Sequence, residues 1–133
     1  MSLIKILVID DDIGMTELLS LLLAPASSEI ITANNGQDGI EYAKKMSPDI
    51  IILDLMMPEM HGWTVCQHIR AFSDVPILIL SSMDAPGSVA QALDVGADDY
   101  LVKPVSSGAL IAHINKLLRR SKVSLQLNSA SLT

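Results

Sequence analysis

The sequence predicts an α/β protein: one doubly wound, five-stranded parallel sheet in the order 2-1-3-4-5, with helices on both faces. Three observations carry this expectation. Short branched-apolar runs alternate five times with longer segments of helical periodicity. Most of those runs are apolar throughout rather than alternating, as strands covered on both faces must be. Proline or glycine falls between the segments, and repeated strand–helix units imply right-handed crossovers between parallel strands.

The first strand, Ile4–Ile9, is five aliphatic residues around Lys5. The helix expected over residues 14–24 is Leu-rich and stops at Pro25. A second strand at 30–33 precedes a helix over 37–46, whose Ile40, Ala43 and Met46 share one face before Pro48 ends it. The third strand, Ile50–Leu53, is apolar throughout and leads to a helix over 63–72. Pro76 opens the fourth strand at 77–80, and the helix over 88–95 stops at Gly96. The fifth strand, 100–102, feeds the helix Ser107–Arg120, where Leu110, Ile111, Ile114, Leu117 and Leu118 form an apolar stripe. No internal repeat or low-complexity segment interrupts this order.

The 133 residues fit a single domain that buries about two-thirds of its unfolded surface. Half of them are apolar, yet no apolar run approaches the ~18–20 residues of a membrane span. The N-terminus lacks a basic region followed by a long apolar stretch, so a secretion leader is not expected. Cys66 is the only thiol, which excludes an internal disulfide and suits a reducing, cytoplasmic setting. A net charge of −6 argues against nucleic-acid binding by this domain itself. The terminal basic residues Lys116, Arg119, Arg120 and Lys122 suit a helix C-terminus better than a phosphate backbone.

The strand ends carry the chemistry. The first ends in Asp10-Asp11-Asp12, the third in Asp54, the fourth in Ser81-Ser82 and the fifth in Lys103-Pro104. In an open parallel sheet these ends share one edge, where ligands bind at the topological switch point. Neighbouring strands lie about 4.8 Å apart, so the acids of the first and third strands meet. Clustered carboxylates suit Mg²⁺, and a hydroxyl and an amine beside them complete a clamp for a phosphoryl group. Each feature alone has an ordinary reading: Asp12 as a helix cap, Asp54 as a turn residue, Ser81 or Ser82 as a cap, Lys103-Pro104 as a loop. Four polar strand ends converging on one edge outweigh those readings.

The stretches "ILVIDDD", "IIILDLMMPEMHG", "PILILSS" and "GADDYLVKP" resemble the receiver domain of two-component response regulators. The resemblance runs from Ile4 to Arg120, in family order, and implies a receiver over residues 1–120 with 121–133 as a tail or linker to an output domain. It implies that Asp54 accepts a phosphoryl group from a histidine kinase or phosphotransfer protein. It implies Mg²⁺ held by Asp11, Asp54 and the backbone carbonyl of Met56, with Asp10 acting mainly through water. Lys103 would pair with a phosphoryl oxygen across a cis Lys103–Pro104 peptide. Ser81 would bond the phosphoryl group and draw Tyr100 inward as the switch, with the amide of Ser82 as a further donor. Met56 and Met83 would stand beside the acyl phosphate and, as poor hydrogen-bond partners, slow its hydrolysis. Gly14, Met15 and Leu18, with Pro104 and Val105, would lie on the side where the kinase docks.

Some positions depart from the family pattern. Val105 stands where many members have Phe, and Ser81 where Thr is frequent. The resemblance admits a homodimer through the fourth helix, fifth strand and fifth helix. Val89, Gln91, His113 and Asn115 replace basic residues there, although Asp94, Asp98 and Asp99 remain, so the winged-helix regulators' ion-pair network is not expected. A haloacid-dehalogenase-type phosphatase also begins with an Asp-x-Asp strand end, but requires acidic residues after the lysine that this chain lacks. A flavodoxin-like module would place a flavin phosphate against three aspartates. His61, His68 and His113 share no metal-ligand spacing and read as surface residues, Trp63 as packing, and Cys66 as a buried apolar residue.

Overall fold

The computed structural model describes residues 4–24 and 28–120. Ten elements alternate along them: β1 (Ile4–Ile9), α1 (Ile13–Leu23), β2 (Ser28–Ala33), α2 (Gly36–Met46), β3 (Ile50–Leu53), α3 (Gly62–Arg70), β4 (Ile77–Ser81), α4 (Pro86–Asp94), β5 (Asp99–Val102) and α5 (Ser107–Arg120). All strand pairs are parallel, and the sheet order is β2-β1-β3-β4-β5, as the sequence predicts. The tail 121–133 lies outside the described residues.

Alternate residues of a strand face opposite sides, so β1 supplies two cores at once. Ile4, Ile6 and Val8 pack with Leu19 and Leu23 of α1 and with Leu110, Ile114, Leu117 and Leu118 of α5. Leu7 and Ile9 pack on the other face with Ala43 of α2, Val65, Cys66 and Ile69 of α3, and Ala92 of α4. Each such aliphatic side chain contributes about 1.5–3 kcal/mol of burial free energy. This double coverage explains why these strands read as continuous apolar runs.

The starts of α1 and α2 are set by polar caps just after strand ends. Asp12 Oδ1 accepts the Met15 N–H at 3.2 Å, and Asn35 Oδ1 accepts the Asp38 N–H at 2.8 Å. Asp12 is thus a cap, the ordinary reading of that residue. α4 begins two residues earlier than its periodicity suggests, because Pro86 fits the first helical turn, where no N–H is required. α3 ends at Arg70 rather than 72, where the Arg70 guanidinium turns to the carbonyls of Ser73 and Val75. β4 extends one residue beyond its apolar run, since Ser81 still pairs with Val102 of β5.

Candidate functional site

Asp10 and Asp54 are held by the two ladders that flank β1. The Asp10 N–H donates to Ala33 O of β2 at 3.0 Å, and the Asp54 N–H to Ile9 O of β1 at 2.9 Å. Both carboxylates are therefore fixed at the C-terminal edge of neighbouring strands, and both are buried, at 3% and 6% exposure. Asp10 Oδ1 accepts the Asp12 N–H at 3.0 Å, while Oδ2 accepts from Lys103 Nζ at 2.8 Å. The same ammonium lies 3.9 Å from Asp54 Oδ1. The Lys103–Pro104 peptide that precedes α5 is cis, as expected.

Asp11 is exposed, yet one oxygen from each of Asp10, Asp11 and Asp54 lies within 4.8 Å of the others. Three carboxylates against one ammonium leave a local excess of negative charge. Burial, above all, pushes the Asp54 carboxyl above its usual value, and the Asp10 and Asp11 charges add to this. Lys103 and a hydrogen bond from the Met56 N–H work the other way without reversing it. An oxygen-only donor set of this kind could hold a divalent metal ion. Gly62 lets the loop after β3 close against the site: a Cβ there would stand 2.4 Å from Asp54 O.

Ser81 is fully buried at the end of β4, and its Oγ accepts the Met83 N–H at 3.4 Å. The Tyr100 hydroxyl donates to Met83 O at 2.6 Å and lies beside the Ser81 hydroxyl. Burial pushes the Tyr100 phenol above its usual value, with the Asp54 and Asp84 charges adding and Ser81 opposing. Acids, hydroxyl, amine and tyrosine thus meet on one edge. Ser82 is exposed and lines a groove of about 390 Å³ with Met15, Leu18, Lys103, Pro104 and Val105. Met56 is half exposed beside the acids, and Met83 is half-buried.

Two contributors escape a sequence reading. Asn34 donates to Asp10 O at 2.9 Å and to Thr16 Oγ1 at 3.2 Å, tying the end of β2 to the site, and only its place after a strand hinted at it. His113 is not a free surface residue as its spacing suggested: its Nδ1 lies 2.6 Å from Asp99 Oδ2, because α5 crosses beside β5. His61 is exposed and meets Trp63 edge-on at 6.1 Å. Cys66 is buried and its thiol is pushed up by burial, which suits an inert packing role.

The family model for the response regulator receiver domain matches residues 6–115. The chain is 41% identical over 117 residues to the probable transcriptional regulator ycf27 of Porphyra purpurea, covering 88% of this chain and 48% of that protein. It is 39% identical over 120 residues to the DNA-binding dual master transcriptional regulator RpaA of Synechocystis, covering 88% and 50%. The chain spans about half the length of the curated relatives it matches. The chemotaxis protein CheY4 of Vibrio cholerae superposes with a TM-score of 0.81 at 30% identity, covering 87% of this chain and 99% of that one. A two-component response regulator from Clostridium difficile gives 0.85 at 32% identity, covering 88% and 97%. No described helix is long and apolar enough to cross a membrane. The chain belongs to the response regulator receiver domain family, a signalling fold, and not to the haloacid-dehalogenase-type phosphatases that an Asp-x-Asp strand end also admits.

Proposed function

We propose that Asp54 accepts a phosphoryl group from the phosphohistidine of a sensor histidine kinase or phosphotransfer protein. The carrying observation is its buried carboxylate, 3.9 Å from Lys103 and clustered with Asp10 and Asp11 at the open sheet edge. An Asp54 oxygen attacks phosphorus as the P–N bond breaks, and the departing imidazole keeps the electron pair and takes a proton. Asp10, Asp11, Asp54 and the Met56 carbonyl would hold Mg²⁺, which supplies positive charge to the phosphoryl oxygens and offsets the carboxylates. Lys103 turns from Asp10 toward a phosphoryl oxygen. Ser81 and the Ser82 amide bond the same group, and Tyr100 reads the change through Ser81 and the loop to Met83.

The domain itself performs phosphotransfer and slow dephosphorylation, in the cytoplasm, as the receiver part of a longer transcriptional regulator. Residues 121–133 serve as tail or linker. The groove beside Met15 and Leu18 receives the kinase, and α4, β5 and α5 are the surface for any homodimer. Met56 and Met83 obstruct in-line water and offer it no good hydrogen bond, so the phosphoryl group is long-lived.

Incubation with Mg²⁺ and acetyl phosphate should add one base-labile phosphoryl group. Asp54→Asn should abolish it, because an amide is not a competent nucleophile, and omission of Mg²⁺ should do the same. Labelling of the variant at the wild-type level would refute the acceptor assignment. In the labelled protein, replacing Met56 with Asn and Met83 with Glu should shorten the lifetime roughly tenfold, ~1.4 kcal/mol of barrier. An unchanged lifetime would show that the methionines do not set it.

A further inference from the structure

His113 is linked to Tyr100 through Asp99. Its Nδ1 stands 2.6 Å from Asp99 Oδ2, with side chains 34% and 21% exposed, so the pair is short and only partly wetted. The other oxygen, Asp99 Oδ1, accepts the backbone N–H of Tyr100 at 2.8 Å. Tyr100 then reaches Met83 O through its hydroxyl at 2.6 Å, beside Ser81. One continuous chain of contacts therefore runs from α5, through Asp99, to the loop after β4.

We infer that Asp99 and His113 form a brace that positions Tyr100, and that protonation of the imidazole tightens it. This rests on the reading of Tyr100 as the switch. An ionised carboxylate only accepts hydrogen bonds, so Nδ1 carries the hydrogen in both states of the ring. With Asp99 ionised the bond is charge-assisted in both states; protonating the ring adds the attraction of two opposite full charges across the same contact. Histidine is the side chain whose ordinary titration falls between about pH 5 and 8.

The surrounding charges favour this pair. Burial pushes Asp99 up, but the His113 hydrogen bond, the Tyr100 N–H and the charges of His113 and Lys116 together hold it below the usual carboxylate value. Asp99 is therefore ionised across the range in which histidine side chains ordinarily change charge. From α5, Lys116 also acts on Asp99, so the carboxylate keeps a cation nearby when His113 is neutral. Arg120 is directed to Asp98 at 3.8 Å instead. The single titratable group of α4, Asp94, makes no ion pair among the described residues. His113 and Asp99 thus hold the variable member of the brace.

The test is an NMR pH titration of the unphosphorylated full chain, following the Tyr100 amide and ring signals together with the His113 imidazole. In the wild type, the Tyr100 signals should move with the same midpoint as His113. In His113→Gln that movement should shrink several-fold. In His113→Arg, which keeps a cation and a donor, Tyr100 should stay at its low-pH wild-type position throughout. Tyr100 signals that ignore the His113 midpoint, or that titrate equally in both variants, would overturn the proposal. Because no phosphoryl group takes part in this titration, its outcome does not depend on whether Asp54 is the acceptor.

Discussion

Asp54 costs the folded chain stability at neutral pH. Its carboxyl is buried among Asp10 and Asp11, and its pKa in the fold lies above the ordinary value. The folded state therefore holds the Asp54 proton to higher pH than the unfolded chain does. Its contribution is favourable below the unfolded pKa and is lost as pH rises through the folded pKa, so at neutral pH the ionised group is a liability. In metal-free protein, Asp54→Asn should raise Tm by a few degrees at pH 7. That gain should fade when the melt is repeated below about pH 4, where Asp54 is protonated in both states. A variant less stable than wild type at pH 7 would contradict this account of the site.

Arg70 does for the elements what Lys103 does for the site. It closes α3 and fans its guanidinium across the far side of the sheet. Nε donates to Gly96 O at 2.9 Å, Nη1 to Ser73 O at 3.2 Å and Val75 O at 2.7 Å, and Nη2 to Asp98 at 2.8 Å. Asp98 Oδ2 also accepts the Ile77 N–H at 2.8 Å, so one ion pair joins α3, the start of β4 and the turn before β5. Gly96 makes this packing possible: its φ of +119° and its contact with Arg70, where a Cβ would meet Cγ at 2.8 Å, both exclude a side chain. Arg70→Ala should cost about 2–3 kcal/mol, since it strands carbonyls and a half-buried carboxylate. Arg70→Lys should recover little, because a single ammonium cannot reproduce the fork. By contrast, breaking the exposed Lys45–Glu41 pair should change stability by less than about 0.5 kcal/mol. Denaturant midpoints for the three variants decide the ranking.

The molecule as a whole divides its labour between two edges of one sheet. The edge held by Arg70 and Asp98 is neutralised internally, whereas the opposite edge gathers Asp10, Asp11 and Asp54 around one lysine. The protein carries a net charge of −6, and among the described residues Asp10, Asp11 and Asp54 form an acidic cluster that could hold a divalent cation. Mg²⁺ that binds only the fold should stabilise it by mass action, by about 2.7 kcal/mol at a hundred times its Kd. Tm should rise with Mg²⁺ concentration in the wild type, and Asp11→Asn should require more Mg²⁺ for the same rise. An Mg²⁺-independent melting curve would argue against a metal at this cluster.

Local features made much of this protein legible. β1, β3 and α5 occupy the ranges that their apolar patterns predict, and the sheet order follows from repeated parallel crossovers. The same logic brings Asp10, Asp11, Asp54, Ser81 and Lys103 to one edge, because every strand of such a sheet ends on the same side. Tertiary structure alone decided how the charges divide. Lys103 sits 2.8 Å from Asp10 but 3.9 Å from Asp54, Asp12 caps α1 instead of joining the cluster, and Arg70 and His113 find Asp98 and Asp99. Hydrophobic period is a property of neighbours in the chain and survives without a fold. The partner of a charged side chain depends on register, helix placement and the angle at which α3 and α5 cross the sheet, and these exist only once both cores are packed.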